Sequence, residues 1–91
     1  MVGEIDDKTA VLVEKVKISK VRFMIMKTFL DREIIMPKQI SDIIGVRLTY
    51  VGVCLKKLSD IGLVVCLNPN HRANRKFILT KKGREIIQYL E

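Results

Sequence analysis

The chain has 91 residues, enough for one domain with a single modest core, and this length excludes a second domain of similar size. It carries 17 Lys and Arg against 10 Asp and Glu, and the net charge of +7 favours a polyanionic partner, either nucleic acid or an anionic membrane surface. A transmembrane helix is excluded because no apolar run is long enough, and the acidic start lacks the pattern of a signal peptide. We therefore expect a cytoplasmic protein.

The first predicted element is a helix over about residues 5–18, although "TAVLVEKVKI" also fits a strand. Ser19 is a good N-cap for a second helix, "KVRFMIMKTFL", but one helix running straight from Asp7 to Leu30 is an alternative. The apolar positions of the second helix form one face: Val21, Met24, Ile25 and Phe29.

A short extended segment, "EIIM", precedes a third helix that begins at Pro37. The residue before a proline avoids helical geometry, whereas proline itself suits the first helical position. Gly45 is expected to end this helix in the left-handed conformation. Its apolar residues are expected to point inward: Ile40, Ile43 and Ile44.

The stretch "LTYVGVCLKKLSDIG" predicts a longer helix over about residues 48–61, with Val51, Leu55 and Leu58 on a buried stripe and Gly62 as its stop. Gly52 lies inside this helix, where glycine costs roughly 0.5 to 1 kcal/mol relative to alanine. Two interpretations are open: the missing side chain lets a ligand approach the helix backbone, or it relieves crowding against a neighbouring helix.

The last part of the chain predicts a basic hairpin and a closing helix. "LVVCL" and "RKFIL" have strand composition, "NPNHRAN" has turn chemistry, and Thr80 is an N-cap for "TKKGREIIQYL". Residues 37–91 hold ten basic and four acidic groups, whereas residues 1–36 hold seven and six. The positive charge therefore belongs to the C-terminal part, where six basic residues and no acid occur between Arg72 and Arg84.

A helix, a turn and a second helix followed by a basic hairpin form a winged helix-turn-helix. The predicted fold is therefore α+β, mainly α, with a two-stranded wing and an extra N-terminal helix. "PKQISDIIGVRLTYVGVCLKKLSDIGLV" and "VCLNPNHRANRKFILTKKGREIIQYL" resemble winged helix-turn-helix DNA-binding domains of the MarR/ArsR-like type. The likeness covers about residues 19–91 and is nearest to small archaeal winged-helix regulators, which share the "GLV-x-CLNP" and "LT-x-x-G" motifs. It implies specific or architectural DNA binding, usually as a homodimer.

The helix over residues 48–61 is expected to enter the major groove of duplex DNA. Its face opposite the buried stripe carries no large apolar residue in this interpretation, so threonine and arginine can bond base edges and Val53 can touch a thymine methyl. Tyr50, at the edge of that face, either packs or contacts DNA. The expected DNA-binding residues are Lys38, Gln39, Arg47, Thr49, Tyr50, Gly52, Val53, Lys56, Lys57, Arg72, Arg75 and Lys76. Of these, Lys38, Gln39 and the wing residues Arg72, Arg75 and Lys76 are assigned to phosphates.

Other function classes have less support in the sequence. An enzyme is not expected, because there is no second histidine, no glycine-rich phosphate loop and no nucleophile with a base. Cys54, Cys66 and His71 lack the spacing of a zinc site, so no metal or cofactor is expected. The two cysteines are expected to be packed thiols, with a disulfide or a redox sensor as alternatives. A protein-interaction module, an architectural or chromatin protein and an RNA-binding protein remain alternative functions.

We expect residues 1–18 to act as a dimerisation helix beside the DNA-binding domain over residues 19–91. Ile5, Val11, Leu12, Val13 and Val16 give this helix more apolar surface than a core of some seventy residues should require. The expected partners are therefore double-stranded DNA and a second copy of the chain, and the expected location is the nucleoid.

Overall fold

A computed structural model describes residues 6–90, which form five helices and two strands. The order confirms the predicted α+β, mainly helical class, with a helix-turn-helix followed by a two-stranded wing and a closing helix. Ile5, assigned to the first helix from sequence, lies outside the described residues. The elements are α1 Asp7–Lys17, α2 Lys20–Thr28, α3 Pro37–Ile44, α4 Leu48–Asp60, β1 Val64–Cys66, β2 Phe77–Leu79 and α5 Lys81–Ile87.

The helical conformation is interrupted between α1 and α2 at Ser19, so the alternative of one continuous helix is wrong. The strand interpretation of "TAVLVEKVKI" is also wrong, because this stretch is helical. Ser19 has extended backbone angles, and its Oγ accepts a hydrogen bond from the Arg22 N–H at 3.3 Å. The Arg22 guanidinium donates to the Lys15 carbonyl at 2.9 Å and so satisfies a free carbonyl at the end of α1. One arginine thereby joins the two helices.

Local capping chemistry defines α3. Pro37 occupies its first turn, the Gln39 side-chain oxygen accepts a hydrogen bond from the Met36 N–H at 2.8 Å, and Gly45 ends the helix at φ 71°. Ile40 is buried, but Ile43 is 48% exposed, so its inward assignment is wrong. At 100° per residue, Ile43 lies about 100° away from Ile44, and the core is on the Ile44 side.

The wing is a short antiparallel ladder in which Val64 pairs with Leu79 and Cys66 pairs with Phe77. Each strand has three residues, fewer than the five in each of the stretches "LVVCL" and "RKFIL" that predicted them. The segment "EIIM" contributes a single bridge, because Ile35 exchanges two hydrogen bonds with Phe77, at 3.0 and 2.9 Å. The wing is therefore fixed to the chain just ahead of α3.

The start of α5 is locked against the start of the wing. The Thr80 hydroxyl accepts a hydrogen bond from the Gly83 N–H at 3.0 Å and donates one to the Gly62 carbonyl at 2.6 Å. The Thr80 N–H donates to the Leu63 carbonyl at 3.0 Å. A Cβ on Gly83 would collide with that same Leu63 carbonyl oxygen. The "LT-x-x-G" motif is thus a cap combined with a close backbone approach.

The first helix is part of the core, which corrects the expectation of surplus apolar surface. Val13 and Val16 are buried among side chains of the domain, and Leu12 is partly buried. Among the apolar residues of the described segment 6–18, Val11, at 51%, and Ile18, at 78%, remain well exposed. The two are seven residues apart and therefore share one helical face, apart from the core.

Candidate nucleic-acid interface

Helix α4 presents two chemically different faces. Val51, Leu55 and Leu58 are buried as the sequence predicts, and Cys54 joins them. The helix packs against α2, α3 and β1, so these neighbours hold it at a fixed angle. The residues assigned to the outer face are all exposed in the free chain: Thr49, Gly52, Val53, Lys56 and Lys57.

This outer face is less polar than the sequence interpretation held. Leu48, Tyr50 and Val53 are each about half exposed, so the statement that the face carries no large apolar residue is wrong. The buried stripe alone did not reveal this, because Leu48 opens the helix one turn before Gly52 and lies on the same side. Beside these residues, Lys56 forms an exposed ion pair with Asp60 at 3.7 Å, of a kind that contributes little stability.

Gly52 faces open space. No atom of residues 6–90 outside its own helix and chain neighbours would lie within 4 Å of a Cβ at this position. The interpretation that Gly52 relieves crowding against a neighbouring helix is therefore wrong. What remains is a bare patch of helix backbone in the middle of an exposed face, to which another molecule can come close.

Two clefts lie between the wing and this exposed stretch of α4 around Gly52. One cleft, of about 430 Å³, has walls that include Lys38, Leu48, Gly52, Arg72 and Arg75. A second, of about 590 Å³, has walls that include Thr49, Gly52, Val53, Lys56 and Arg75. Gly52 and Arg75 line both clefts, so the wing arginine lies opposite the glycine. The structure therefore brings the start of α3, the outer face of α4 and the wing loop together.

The basic run between residues 72 and 84 divides into separate groups. Arg72, Arg75 and Lys76 are exposed on the wing. Lys82 instead donates hydrogen bonds to the Thr9 hydroxyl and the Glu85 carboxylate, both at 2.9 Å, and Glu85 raises the pKa of Lys82. Arg84 lines a different cleft, together with residues 29–33 at the end of α2 and Ile87 of α5. The wing therefore presents three of the six basic residues.

The other predicted contacts lie at the edges of this surface. Lys38 and Gln39 are exposed at the start of α3, but the Gln39 side-chain oxygen is already used to cap the helix. Arg47 is exposed at the N-cap position of α4 and makes no side-chain cap. Sequence reasoning missed Leu48 and also Asn68, whose side chain organises the wing loop; an asparagine before Pro69 was the available signal.

Both cysteines are free thiols, so the disulfide alternative is not formed. Cys54 is buried, and this burial raises the pKa of its thiol, although the positive charges of Arg22 and Lys57 act in the opposite direction. The Cys66 thiol donates a weak hydrogen bond to the Asn68 side-chain oxygen at 3.6 Å. In residues 6–90, no three His, Cys, Asp or Glu side chains are grouped so that they could hold a metal ion. Over the same residues, no helix is long and apolar enough to cross a membrane.

Solved structures share this fold, while no family model and no curated protein sequence matches the chain. A MarR mutant from E. coli complexed with operator DNA has 22% identity and a TM-score of 0.71, with 93% of this chain and 61% of that chain covered. The transcriptional regulator Tm0710 from Thermotoga maritima has 19% identity and a TM-score of 0.71, with 91% and 58% covered.

TubR from Bacillus thuringiensis serovar israelensis, bound to 24 bp of tubC, has 11% identity and a TM-score of 0.76, with 97% of this chain and 95% of that chain covered. The chain thus spans about three fifths of the MarR and Tm0710 structures and nearly all of TubR. At these identities the likeness establishes a winged-helix fold. The archaeal likeness drawn from the sequence stays a prediction.

Proposed function

We propose that this protein is a DNA-binding transcriptional regulator that places α4 in the major groove and its basic wing on the phosphate backbone. The observation that carries the proposal is the shared position of Gly52 and Arg75, which line the same two clefts between α4 and the wing. A bare stretch of helix and a cationic loop are thereby directed at one partner. Structures of similar fold include one complexed with operator DNA and one bound to tubC DNA.

The outer face of α4 has the chemistry to read bases. The Thr49 hydroxyl can bond base edges, the Val53 methyl groups can meet a thymine methyl, and Lys56 can reach an acceptor in the groove. Arg47, Lys38 and Lys57 flank the helix at positions suited to phosphates, which fix the register of a protein on DNA without reading its sequence. The net charge of +7 agrees with such a partner.

A salt series tests this proposal. Binding to random-sequence duplex DNA should weaken steeply with salt, since each phosphate contact adds about 0.9 to the slope of log K against log salt. Arg72→Ala and Arg75→Ala together should lower affinity for all sequences and reduce the slope by roughly two. Arg84→Ala is the matched control because Arg84 lines a separate cleft. An unchanged slope in the double variant, or an equal loss in the control, contradicts the proposed role of the wing.

A selection from random oligonucleotides separates a specific regulator from an architectural protein. A regulator should enrich one sequence, which is palindromic if two copies bind together. A steep salt dependence without any enriched sequence identifies an architectural or chromatin protein instead. Association with the nucleoid in the cytoplasm follows from either result and is checked by imaging the protein in its own cell.

A second candidate function is a protein-interaction module, and the apolar residues on α4 favour it. Leu48, Tyr50 and Val53 are half exposed on the helix that would meet DNA, and aromatic and aliphatic side chains of this kind anchor protein interfaces. The salt series distinguishes the two functions. Weak binding to duplex DNA at all salt concentrations, with no effect of the arginine variants, contradicts the DNA-binding function and favours the interaction module.

Homodimerisation through the N-terminal helix is part of the proposal. Its remaining support is the exposed pair Val11 and Ile18, which lie on one helical face away from the core. Two copies joined there would present two recognition helices to a two-fold site, about 34 Å apart on B-form DNA. Deleting residues 1–17 is an unsuitable test, because it would also remove the core residues Val13 and Val16.

Point substitutions test the dimer without harm to the core. Val11→Glu with Ile18→Glu should yield a folded monomer in sedimentation equilibrium, with weaker binding to the selected DNA site. Lys8→Gln with Lys17→Gln, at exposed positions of the same helix, lowers the net charge by the same two units and controls for it. If the Val11 and Ile18 variant still sediments as a dimer, the interface lies elsewhere.

A further inference from the structure

One side chain closes the loop between the two wing strands. The Asn68 side-chain oxygen accepts a hydrogen bond from the Lys76 N–H at 2.8 Å, and its amide nitrogen donates to the Asn74 carbonyl at 3.1 Å. The Asn68 backbone carbonyl accepts from the His71 N–H at 3.1 Å. Beside these bonds, the Leu67 N–H donates to the Lys76 carbonyl at 2.7 Å. Asn68 therefore spans the loop at its base and holds both of its sides.

The same loop fixes the direction of Arg75. Asn74 adopts a positive φ of 57°, an uncommon conformation that asparagine tolerates better than most residues. The Arg75 Nε then donates to the His71 carbonyl at 2.7 Å. A guanidinium has five N–H donors, so this bond uses the one on Nε and leaves the four on the two Nη atoms. Arg75 is thus tied to the loop by Nε while it lines both clefts together with Gly52 of α4.

We propose that Asn68 is a positioning residue, which holds the wing loop in its DNA-contacting form before DNA arrives and so presents Arg75 to a phosphate. The inference rests on the proposed function. A loop that is already ordered loses less conformational freedom on binding than a mobile one, and affinity rises by that difference. Asn68 itself need not touch DNA, because it acts through the bonds to Lys76 and Asn74.

Preorganisation and phosphate contact leave different signatures. The salt slope counts the phosphates that are contacted in the complex, whereas the cost of ordering a loop does not depend on salt. Asn68→Ala should therefore lower DNA affinity about tenfold at every salt concentration while the slope stays that of the unaltered protein. Arg75→Ala should lower both affinity and slope, the latter by about 0.9.

A double-mutant cycle tests whether Asn68 acts through Arg75. In the Arg75→Ala background, Asn68→Ala should have a smaller effect on affinity than in the unaltered chain, because there is no arginine left to position. Asn70→Ala is the matched control, since the Asn70 side chain lies in the same loop and makes no hydrogen bond to any of residues 6–90. Equal effects of Asn68→Ala in both backgrounds overturn the proposal.

Amide hydrogen exchange of the free protein gives a readout that does not depend on DNA. Asn68→Ala should speed the exchange of the Lys76 and His71 amides, while the amides of α4 and the thermal midpoint stay as they were. Unchanged exchange in the loop overturns the inference whatever the DNA binding shows. If the exchange rises and the unaltered chain binds DNA with a steep salt slope, yet Asn68→Ala binds equally well, only this inference fails. An unaltered chain without salt-dependent DNA binding refutes the proposed function first, and this inference with it.

Discussion

Gly52 in α4 and Gly83 in α5 are both helical glycines, and their surroundings are opposite. A Cβ on Gly52 would point into open space, whereas a Cβ on Gly83 would collide with the Leu63 carbonyl oxygen. At Gly83 the glycine permits a close approach by the chain's own backbone. At Gly52 no neighbour within residues 6–90 comes close, and under the proposed function the space is left for DNA.

The largest effect is expected from Gly83→Ala. The added methyl group meets the Leu63 backbone, which cannot move without breaking the Thr80 N–H bond to the same carbonyl. The loss should be about 3 kcal/mol, near the upper end for overpacking, and should outweigh the gain in helix propensity. For a domain of this size the thermal midpoint should fall by more than about 12 °C. A midpoint within a few degrees of the unaltered protein would show that the packing at Gly83 is loose.

The next effect in size is expected at Gly52, and it concerns binding. Gly52→Glu should reduce DNA affinity at least ~100-fold, because a carboxylate would be forced against the groove and its phosphates. The domain should stay folded, since nothing crowds the position. The measurement is a DNA titration beside a thermal melt, with Gly52→Gln as the neutral control of similar size. Unchanged DNA affinity of the Gly52→Glu variant would contradict the proposal that α4 lies in the DNA interface.

Thr80→Val tests the lock that forces Gly83 so close to the wing. Valine keeps the shape of threonine but removes the hydroxyl that caps α5 at Gly83 and bonds the Gly62 carbonyl. A loss of about 1 to 2 kcal/mol is expected from the cap and the bond together. Urea unfolding measures it, and DNA affinity measured under folding conditions should be unchanged. A stability loss well below 0.5 kcal/mol would mean that strand pairing alone holds α5 in place.

The smallest effect is expected from Gly52→Ala, and its sign is the informative part. With open space around the position, alanine should stabilise the fold by about 0.5 to 1 kcal/mol through helix propensity. DNA affinity should stay the same or drop slightly. A destabilised alanine variant would contradict the open surroundings of Gly52 and erase the contrast with Gly83.

Local chemistry was readable from sequence, and distant contacts were not. Ser19, Gly45 and Thr80 were assigned correctly because a cap depends on residues within one turn of it. The role of Gly83 was missed because the backbone that approaches it belongs to Leu63. The bond from Lys82 to Thr9 was missed because the two are 73 residues apart, whereas its ion pair with Glu85 is local and could have been read from the sequence.

The candidate interface shows the same limit. The apolar periodicity of α4 predicted its buried stripe and hence its outer face. The turn composition of "NPNHRAN" predicted the loop of the wing. The surroundings of Gly52 and the separation of Arg84 from the wing arginines depend on packing between elements, which the order of residues does not display. The prediction that Ile43 points inward was wrong for a related reason, because periodicity does not say on which side of a helix the core lies.

The shortness of the wing strands bears on aggregation. Within residues 6–90, β1 pairs with β2 alone, so its other edge presents unpaired backbone groups beside the half-exposed side chains of Val65 and Leu67. Long apolar edges of this kind act as templates on which a second chain can add a strand. Here the edge is three residues long, and Pro69 follows shortly after with no N–H to extend a ladder. An edge this short disfavours strand addition by a second copy of this cationic protein.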